Sequence, residues 1–179
     1  MMAPLRLLIS GPESTGKSTL AQELSDHFQA PVVWEQARPY LEKYGPDYDF
    51  EDLKRIGDLQ FAAENEAFSK AEKMLLCDTG PFVLWVWAHY TLRQEYPFAS
   101  AWMDQKTYDG VILCYPDLPW QHDDMREHPN LEDRDRLYKL YETNILKRYP
   151  EALILKGQGK SRTECAIRYI NDLSSKKRD

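Results

Sequence analysis

The sequence predicts an α/β fold of three layers, in which a five-stranded parallel sheet lies between helices. Five short apolar runs are spaced along the chain, as expected for strands that are buried on both faces. Segments with apolar residues at helical spacing lie between these runs, which is the pattern of a parallel sheet with crossover helices. A glycine-rich turn directly follows the first run, where folds of this class join the first strand to a helix.

The apolar runs and stripes place each element along the chain. The predicted strands are residues 5–9, 31–34, 74–77, 111–115 and 152–155. Helices are predicted from Lys17, over the stripe of Leu53, Ile56, Leu59, Ala63 and Ala67, over 81–93, around 137–145 and around 166–173. Pro81 suits the first turn of the third of these helices, although the aromatic residues after it would also suit a strand.

Composition bounds the classes of protein to which the chain can belong. Its 179 residues suit one domain, without repeat or linker, that can bury a full core. The net charge of −6 does not indicate nucleic-acid binding, which is typical of positively charged proteins. No apolar run approaches the length of a membrane span. Three cysteines without metal-ligand spacing, and the lack of a leader peptide, predict a cytoplasmic protein in a reducing compartment.

Residues 11–18 read Gly-Pro-Glu-Ser-Thr-Gly-Lys-Ser, which is the pattern of a phosphate-binding loop between a strand and a helix. The glycines let the backbone wrap closely around a phosphate chain, and Lys17 is placed to reach the β- and γ-phosphates. The Ser18 hydroxyl is placed to bind Mg²⁺. We predict an ATP site made by Gly11, Glu13, Ser14, Thr15, Gly16, Lys17, Ser18 and Thr19.

The rest of the chain favours one branch of the triphosphate-binding proteins. A guanine-binding Asn-Lys-x-Asp motif is absent, and the third run ends in Asp78-Thr79-Gly80 rather than in the Asp-Glu of helicases and large motors. The small-molecule kinases remain. They need carboxylates that face the acceptor hydroxyl, a surface for the acceptor, and cations for the transferring phosphoryl group.

Glu35 and Asp78 fall just beyond the second and third predicted strands. Because ligands of this fold bind at the carboxyl ends of the strands, we expect the two carboxylates to converge near the γ-phosphate. One of them can accept the proton of the acceptor hydroxyl, and the other can hold the ribose or a Mg²⁺-bound water. Either can instead cap or face the N-terminus of a helix, and the two roles can coexist.

Trp34 and Arg38 flank Glu35 in the sequence. Trp34 can stack on a flat acceptor, most strongly on a cationic one, or it can belong to the core. Arg38 can close on Glu35 or on the substrate, or it can form a surface salt bridge. Both residues are therefore candidates for binding a small-molecule acceptor.

Residues 116–136 are polar, charged and interrupted by prolines, and we predict that they form a lid. Arginines on a closing lid stabilise charge on a transferring phosphoryl group, and Arg126 is the best candidate. Arg134 and Arg136 have acidic neighbours, so exposed ion pairs are the alternative for them. The glycine-containing turn at 156–160 either lies against adenine or is a plain entry to the last helix.

Four motifs occur in order along the chain: the loop at 11–18, Trp-Glu-Gln-Ala-Arg at 34–38, Asp-Thr at 78–79 and Pro-Trp-Gln-His-Asp-Asp-Met-Arg at 119–126. Together they resemble the ribosylnicotinamide kinase domain of the bifunctional NAD-biosynthesis regulators of bacteria. The resemblance runs over residues 5–173, and its second and fourth motifs are far more specific than the phosphate loop.

The resemblance implies transfer of the γ-phosphate of ATP to the 5′-hydroxyl of nicotinamide riboside, which gives nicotinamide mononucleotide. It implies that Trp34 stacks on the pyridinium ring, and that Glu35 and Asp78 bind the ribose hydroxyls and the metal. Arg126 and Arg134 match the lid cations. The chain lacks the His-x-Gly-His motif of the regulators' nucleotidyltransferase domain and lacks their DNA-binding domain, so we expect neither adenylylation nor repression.

Two other functions suit the same phosphate loop. A kinase for another nucleoside or nucleotide would read a neutral base by hydrogen bonds rather than by cation stacking. A nucleotide-dependent switch would bind ATP and signal to a partner without phosphorylating a metabolite.

Overall fold

The computed structural model describes residues 3–105, 108–120 and 130–177. Its five strands are all parallel and lie in the order β2-β3-β1-β4-β5. The strands are β1 (Leu5–Ser10), β2 (Val32–Val33), β3 (Met74–Asp78), β4 (Gly110–Cys114) and β5 (Leu153–Leu155). The helices in the described ranges are α1 (Lys17–Phe28), α2 (Ala37–Tyr44), α3 (Phe50–Lys70), α4 (Pro81–Tyr90), α5 (Pro97–Gln105), α6 (Leu131–Arg148) and α7 (Lys160–Lys176).

The sheet separates two apolar layers, which confirms the three-layer α/β fold. Leu7 and Ile9 of β1 point to one face, where they pack with Leu24 of α1 and Ile170 of α7. Leu8 points to the other face and joins a larger cluster supplied by α2 to α6. Because successive side chains of a strand alternate between faces, one continuous apolar run serves both layers.

Helix α3 buries the predicted apolar stripe except at one position. Leu59 is 48% exposed, so its predicted place on the buried face is wrong, and the polar Gln60 and Glu64 are buried instead. Hydrogen bonds offset part of the cost of burying these polar groups, while the buried Nε2 atom of Gln60 has no partner among the described residues. The Gln60 Oε1 atom accepts from the Gln36 amide at 3.0 Å, and the Glu64 carboxylate accepts from the Tyr108 hydroxyl at 3.1 Å.

Helix α4 forms as predicted from its first-turn proline, and it ends at Tyr90 rather than at residue 93. It contacts α3, α5 and α6, so its apolar surface is covered on several sides. The short helices α2 and α5 are not predicted by the sequence analysis. No helix of the described ranges is both long and apolar enough to cross a membrane.

The register of the sheet determines which loops meet at its carboxyl edge. Strand β1 lies between β3 and β4 and pairs Ile9 with Asp78 and Ser10 with Leu113. The glycine-rich loop after β1 therefore begins beside the end of β3. Residues 116–120 leave β4 at the same edge, so the sequence-distant candidate residues are brought together there.

Candidate active site

The loop after β1 wraps tightly, and two of its glycines are required for that shape. A Cβ on Gly11, which has a φ of +138°, would lie 2.7 Å from the Cys114 carbonyl oxygen. A Cβ on Gly16, at a φ of +71°, would lie 2.9 Å from the Leu118 side chain. Helix α1 begins at Lys17, so its first amide groups and its dipole favour an anion in the loop.

Hydrogen bonds hold the loop in this conformation. The Thr15 hydroxyl and the Lys17 ammonium both donate to the Pro12 carbonyl, at 2.7 and 2.8 Å. From the other side, the buried Arg162 of α7 donates to the Thr15 carbonyl at 2.6 Å. The loop is therefore supported by its own side chains and by a helix far along the sequence.

Arg162 also connects the loop to two other segments at this edge. It donates to the Gly157 carbonyl at 3.2 Å and lies 3.7 Å from a carboxylate oxygen of Asp117. The other Asp117 oxygen accepts from the Gly157 amide at 2.7 Å. The turn before α7 and the stretch after β4 thus share one polar network with the phosphate loop.

Asp78 lies at the end of β3, within hydrogen-bond distance of the first turn of α1. Its Oδ2 atom accepts from the Ser18 hydroxyl at 2.6 Å, while Oδ1 is buried and has no hydrogen-bond partner among the described residues. The side chain is 1% exposed, and burial raises its pKa, opposed by Lys17 and by the Ser18 hydrogen bond. The unpartnered oxygen beside a hydroxyl fits Mg²⁺, which prefers oxygen ligands.

Glu35 follows β2 and lines the same cavity as the phosphate loop. Burial raises the pKa of its carboxyl group; Lys17 and Arg38 oppose this increase, and Asp78 adds to it. Within the described part of the chain, no hydrogen bond engages the Glu35 carboxylate. The two carboxylates are thus close enough for Asp78 to affect the pKa of Glu35, but only Asp78 is held by a neighbouring hydroxyl.

The cavity has a volume of about 220 Å³, and its wall has two kinds of surface. One part is the phosphate loop, from Gly11 to Thr19, joined by the polar groups of Glu35, Arg38 and Thr79. The other part is apolar and aromatic, and it consists of Leu41, Tyr48, Val83, Val86, Trp87, Leu137 and Tyr141 among others. The cavity can thus hold an anion and a flat apolar group at the same time.

Trp34 is not among the described residues that line this cavity. Its side chain is 42% exposed, and its carbonyl accepts from the Gln36 side chain at 2.9 Å. Arg38 does line the cavity and is near enough to Glu35 to lower the pKa of that carboxyl. Of the two residues that flank Glu35 in the sequence, the structure brings Arg38 to the cavity.

Three aromatic residues of the wall were not identified from the sequence. The rings of Tyr48 and Trp87 stack, with centroids 5.4 Å apart and planes 27° apart. Tyr141, on α6, is buried, and burial raises the pKa of its hydroxyl well above the usual value. Trp87 lies four residues after Val83 on α4. This helical spacing could have predicted that Val83 and Trp87 lie on the same side of the helix.

Much of the predicted lid, including the candidate cation Arg126, lies outside the described residues. Residues 116–120 are irregular, as predicted, whereas residues 131–136 are the beginning of α6. Arg136 pairs with Asp133 at 3.8 Å on the surface, which is the ion pair considered as its alternative.

Arg134 is 5% exposed, so it does not form the exposed ion pair considered for it. One of its terminal nitrogens donates to the Leu118 carbonyl at 3.3 Å, and its buried Nε atom has no partner in the described ranges. Leu118 in turn lies against Gly16 of the phosphate loop. Arg134 therefore holds the stretch that follows β4, where the predicted lid begins.

Comparison with known proteins identifies relatives of the chain. A family model described as an AAA domain matches residues 6–162. Two curated proteins named trifunctional NAD biosynthesis/regulator protein NadR, from Salmonella typhimurium (strain LT2) and Escherichia coli (strain K12), are 29% identical over 74% of the chain. The chain spans 33% of the length of these relatives. The resemblance to the bacterial NAD-biosynthesis regulators is thus confirmed.

Solved structures agree on the fold. A NadR protein in complex with NAD and AMP-PNP has a TM-score of 0.79 at 19% identity, over 97% of this chain and 50% of that chain. Deoxyadenosine kinase from M. mycoides has a TM-score of 0.65 at 17% identity, and thymidylate kinase from Ehrlichia chaffeensis has 0.67 at 11%. Each covers 94% of this chain and is itself covered completely, at 100%. The fold is that of the P-loop nucleoside and nucleotide kinases.

Proposed function

The chain belongs to the AAA domain family, and we propose that it is an ATP- and Mg²⁺-dependent kinase that phosphorylates nicotinamide riboside to nicotinamide mononucleotide. The observation that carries this proposal is the Glu35 carboxylate, which faces the cavity of the phosphate loop and Lys17 without a hydrogen bond from the described residues. Phosphoryl transfer to an alcohol needs such a group beside the γ-phosphate. The likeness to the NadR proteins supports the choice of acceptor.

In the proposed reaction, the 5′-hydroxyl oxygen of the acceptor forms a bond to the γ-phosphorus of ATP. The bond between that phosphorus and the bridging oxygen breaks, and ADP leaves. Glu35 accepts the hydroxyl proton and later releases it to solvent. The amides of the phosphate loop and Lys17 hold the β- and γ-phosphates, so positioning and charge supply most of the rate.

Ser18 and Asp78 would hold Mg²⁺, which neutralises charge on the phosphates when it is bound. The hydrogen bond between these two side chains supports this division of roles, because it leaves Glu35 as the carboxylate that can receive a proton. Arg126 and Arg134 are proposed as cations of the lid. Their roles stay predictions.

Trp34 and Arg38 are proposed as acceptor-binding residues. The exposure of Trp34 leaves its stacking on the acceptor ring a prediction. The position of Arg38 on the cavity wall near Glu35 supports the same role for Arg38. We also propose that the partner of the chain is a small-molecule substrate, and that the chain binds neither nucleic acid nor a membrane.

ADP release tests the proposed function. It is measured with Mg²⁺ and ATP alone, with nicotinamide riboside, and with each common nucleoside and nucleoside monophosphate. We expect nicotinamide riboside to stimulate release. Lys17→Ala should abolish the stimulation, whereas Lys70→Ala, which removes an exposed lysine paired with Glu66, should retain it.

Two results would change the assignment. Stimulation by a different acceptor alone would retain a kinase and reject nicotinamide riboside as its substrate. No stimulation by any acceptor would reject the kinase and favour the nucleotide-dependent switch.

A further inference from the structure

The cavity that contains the phosphate loop also has an aromatic surface, formed by Tyr48 and Trp87. Tyr48 lies between α2 and α3, and Trp87 lies on α4. Both side chains are half-buried, both line the cavity, and their rings stack with centroids 5.4 Å apart. Phosphate binding, metal binding and proton transfer use neither residue.

The side chains around this aromatic pair are apolar. Leu41, Val83 and Val86 are buried and line the same cavity. Such a surface favours a flat ring over a charged phosphate or a hydroxyl group, since polar groups lose water there without gaining a partner. The two rings are already stacked, so a ligand ring does not have to order them when it binds.

We propose that the Tyr48–Trp87 pair is the binding surface for the planar heteroaromatic base of the acceptor. This inference rests on the proposed function and names the residues that select its acceptor. Glu35 lines the same cavity, so a nucleoside whose base lies on the pair can turn its ribose hydroxyl toward that carboxylate. A cationic base on the outer face of one of these rings gains further attraction from its electron-rich π system.

Substitutions on α4 test this proposal with a matched control. Trp87→Leu removes an indole that lines the cavity. Trp85→Leu removes a half-buried indole of the same helix that stacks on His89 and does not line the described cavity. For each variant, KM for nicotinamide riboside and for ATP is measured, together with the Kd for nicotinamide riboside by calorimetry.

We expect Trp87→Leu to weaken acceptor binding and raise the acceptor KM by about tenfold, because a base–aromatic stack is lost. The KM for ATP should stay within about twofold in the same variant, because the phosphate loop is unchanged. Trp87→Phe should restore most of the loss, since it keeps an aromatic face. Trp85→Leu should leave the acceptor KM as in the wild type.

An unchanged acceptor KM and Kd in Trp87→Leu would overturn the proposal, as would equal losses in Trp87→Leu and Trp85→Leu. Trp34→Leu is measured in the same way, and a loss confined to that variant would assign the ring contact to Trp34 and would also overturn the proposal. If Trp87→Leu does not fold, Tyr48→Leu decides by the same criteria.

Failure of the proposed function gives a different result. If the wild type phosphorylates another base-bearing acceptor, nicotinamide riboside is rejected as the substrate. The KM values of Trp87→Leu and Trp85→Leu for that other acceptor then test the aromatic surface. If the wild type neither binds nor phosphorylates any base-bearing acceptor, the aromatic surface is rejected together with the proposed function.

Discussion

At the scale of single residues, Glu35 and Asp78 differ in their surroundings rather than in their chemistry. Burial raises the pKa of both carboxyl groups, and Lys17 opposes it in both. Asp78 accepts a hydrogen bond from Ser18, whereas no described residue donates one to Glu35. Two similar acids with different environments can serve as metal ligand and base, which is the division proposed for this site.

Glu35→Gln should lower kcat by about a hundredfold or more, because the variant cannot accept the proton of the acceptor hydroxyl. The base must be ionised, so the wild-type kcat should fall as pH drops through the pKa of Glu35. Because that pKa is raised, the fall should occur at a higher pH than for an ordinary glutamate. The residual rate of Glu35→Gln should lack that fall. Profiles of kcat against pH for both proteins check this, and the same acidic fall in both would contradict it.

Glu35→Gln should also raise Tm at neutral pH. A carboxyl group whose pKa is higher in the folded than in the unfolded state makes folding less favourable as pH rises through the interval between the two pKa values. The variant avoids this cost, so the difference in Tm should shrink as pH falls below that interval. Thermal melts over a pH series measure it.

Glu66→Gln is the control for this stability prediction, because its expected change in Tm has the opposite sign. The Lys70 ammonium bonded to Glu66 lowers the pKa of that exposed carboxyl, so its ionisation favours folding at neutral pH. We expect Glu66→Gln to lower Tm slightly at neutral pH. A Glu35→Gln variant that is less stable than the wild type at neutral pH would contradict the account of Glu35.

At the scale of elements, Arg162 joins the phosphate loop to the turn before α7 and to the stretch after β4. Arg162→Lys keeps a positive charge but cannot reach Thr15, Gly157 and Asp117 together. We expect the KM for ATP to rise several-fold and the protein to lose about 2 kcal/mol of stability, with little change in the acceptor KM. Arg168→Lys, on the exposed face of the same helix, is the control. An unchanged KM for ATP would show that the network does not shape the loop for binding.

The lid prediction is tested by comparing two arginines of the same segment. Arg126→Ala should lower kcat by about a hundredfold or more if its charge acts on the transferring phosphoryl group. Arg136→Ala removes an exposed arginine paired with Asp133 and should leave kcat near the wild type. Steady-state kinetics with both substrates check the pair, and a loss confined to KM would limit Arg126 to binding.

The secondary structure that could be predicted from the sequence is the part that depends on local pattern. Strands such as β1 form where apolar runs continue, and Pro81 indicates the beginning of α4. Pro97 begins α5 in the same way, but α2 and α5 are too short for a clear apolar period. The error at Leu59 has a different cause, because tertiary hydrogen bonds allow Gln60 and Glu64 to be buried in its place.

At the scale of the whole molecule, the candidate site combines a contiguous motif with side chains from distant elements. The phosphate loop is contiguous, so its residues can be predicted from the sequence alone. The wall of the cavity also draws on α2, α4 and α6, and the orientation of each side chain depends on how these helices pack. For this reason the sequence favours Trp34, whereas the structure places Trp87 and Tyr48 on the cavity wall.

A competition experiment measures directly whether the protein phosphorylates nicotinamide riboside selectively. Nicotinamide riboside, the common nucleosides and the nucleoside monophosphates are mixed at equal concentration with limiting ATP and Mg²⁺, and the products are measured by mass spectrometry. The product ratios report the ratios of kcat/KM, which define specificity. We expect nicotinamide mononucleotide to be the dominant new product. Preferential phosphorylation of another acceptor would reject nicotinamide riboside as the substrate, and loss of ATP without any phosphorylated acceptor would reject the kinase.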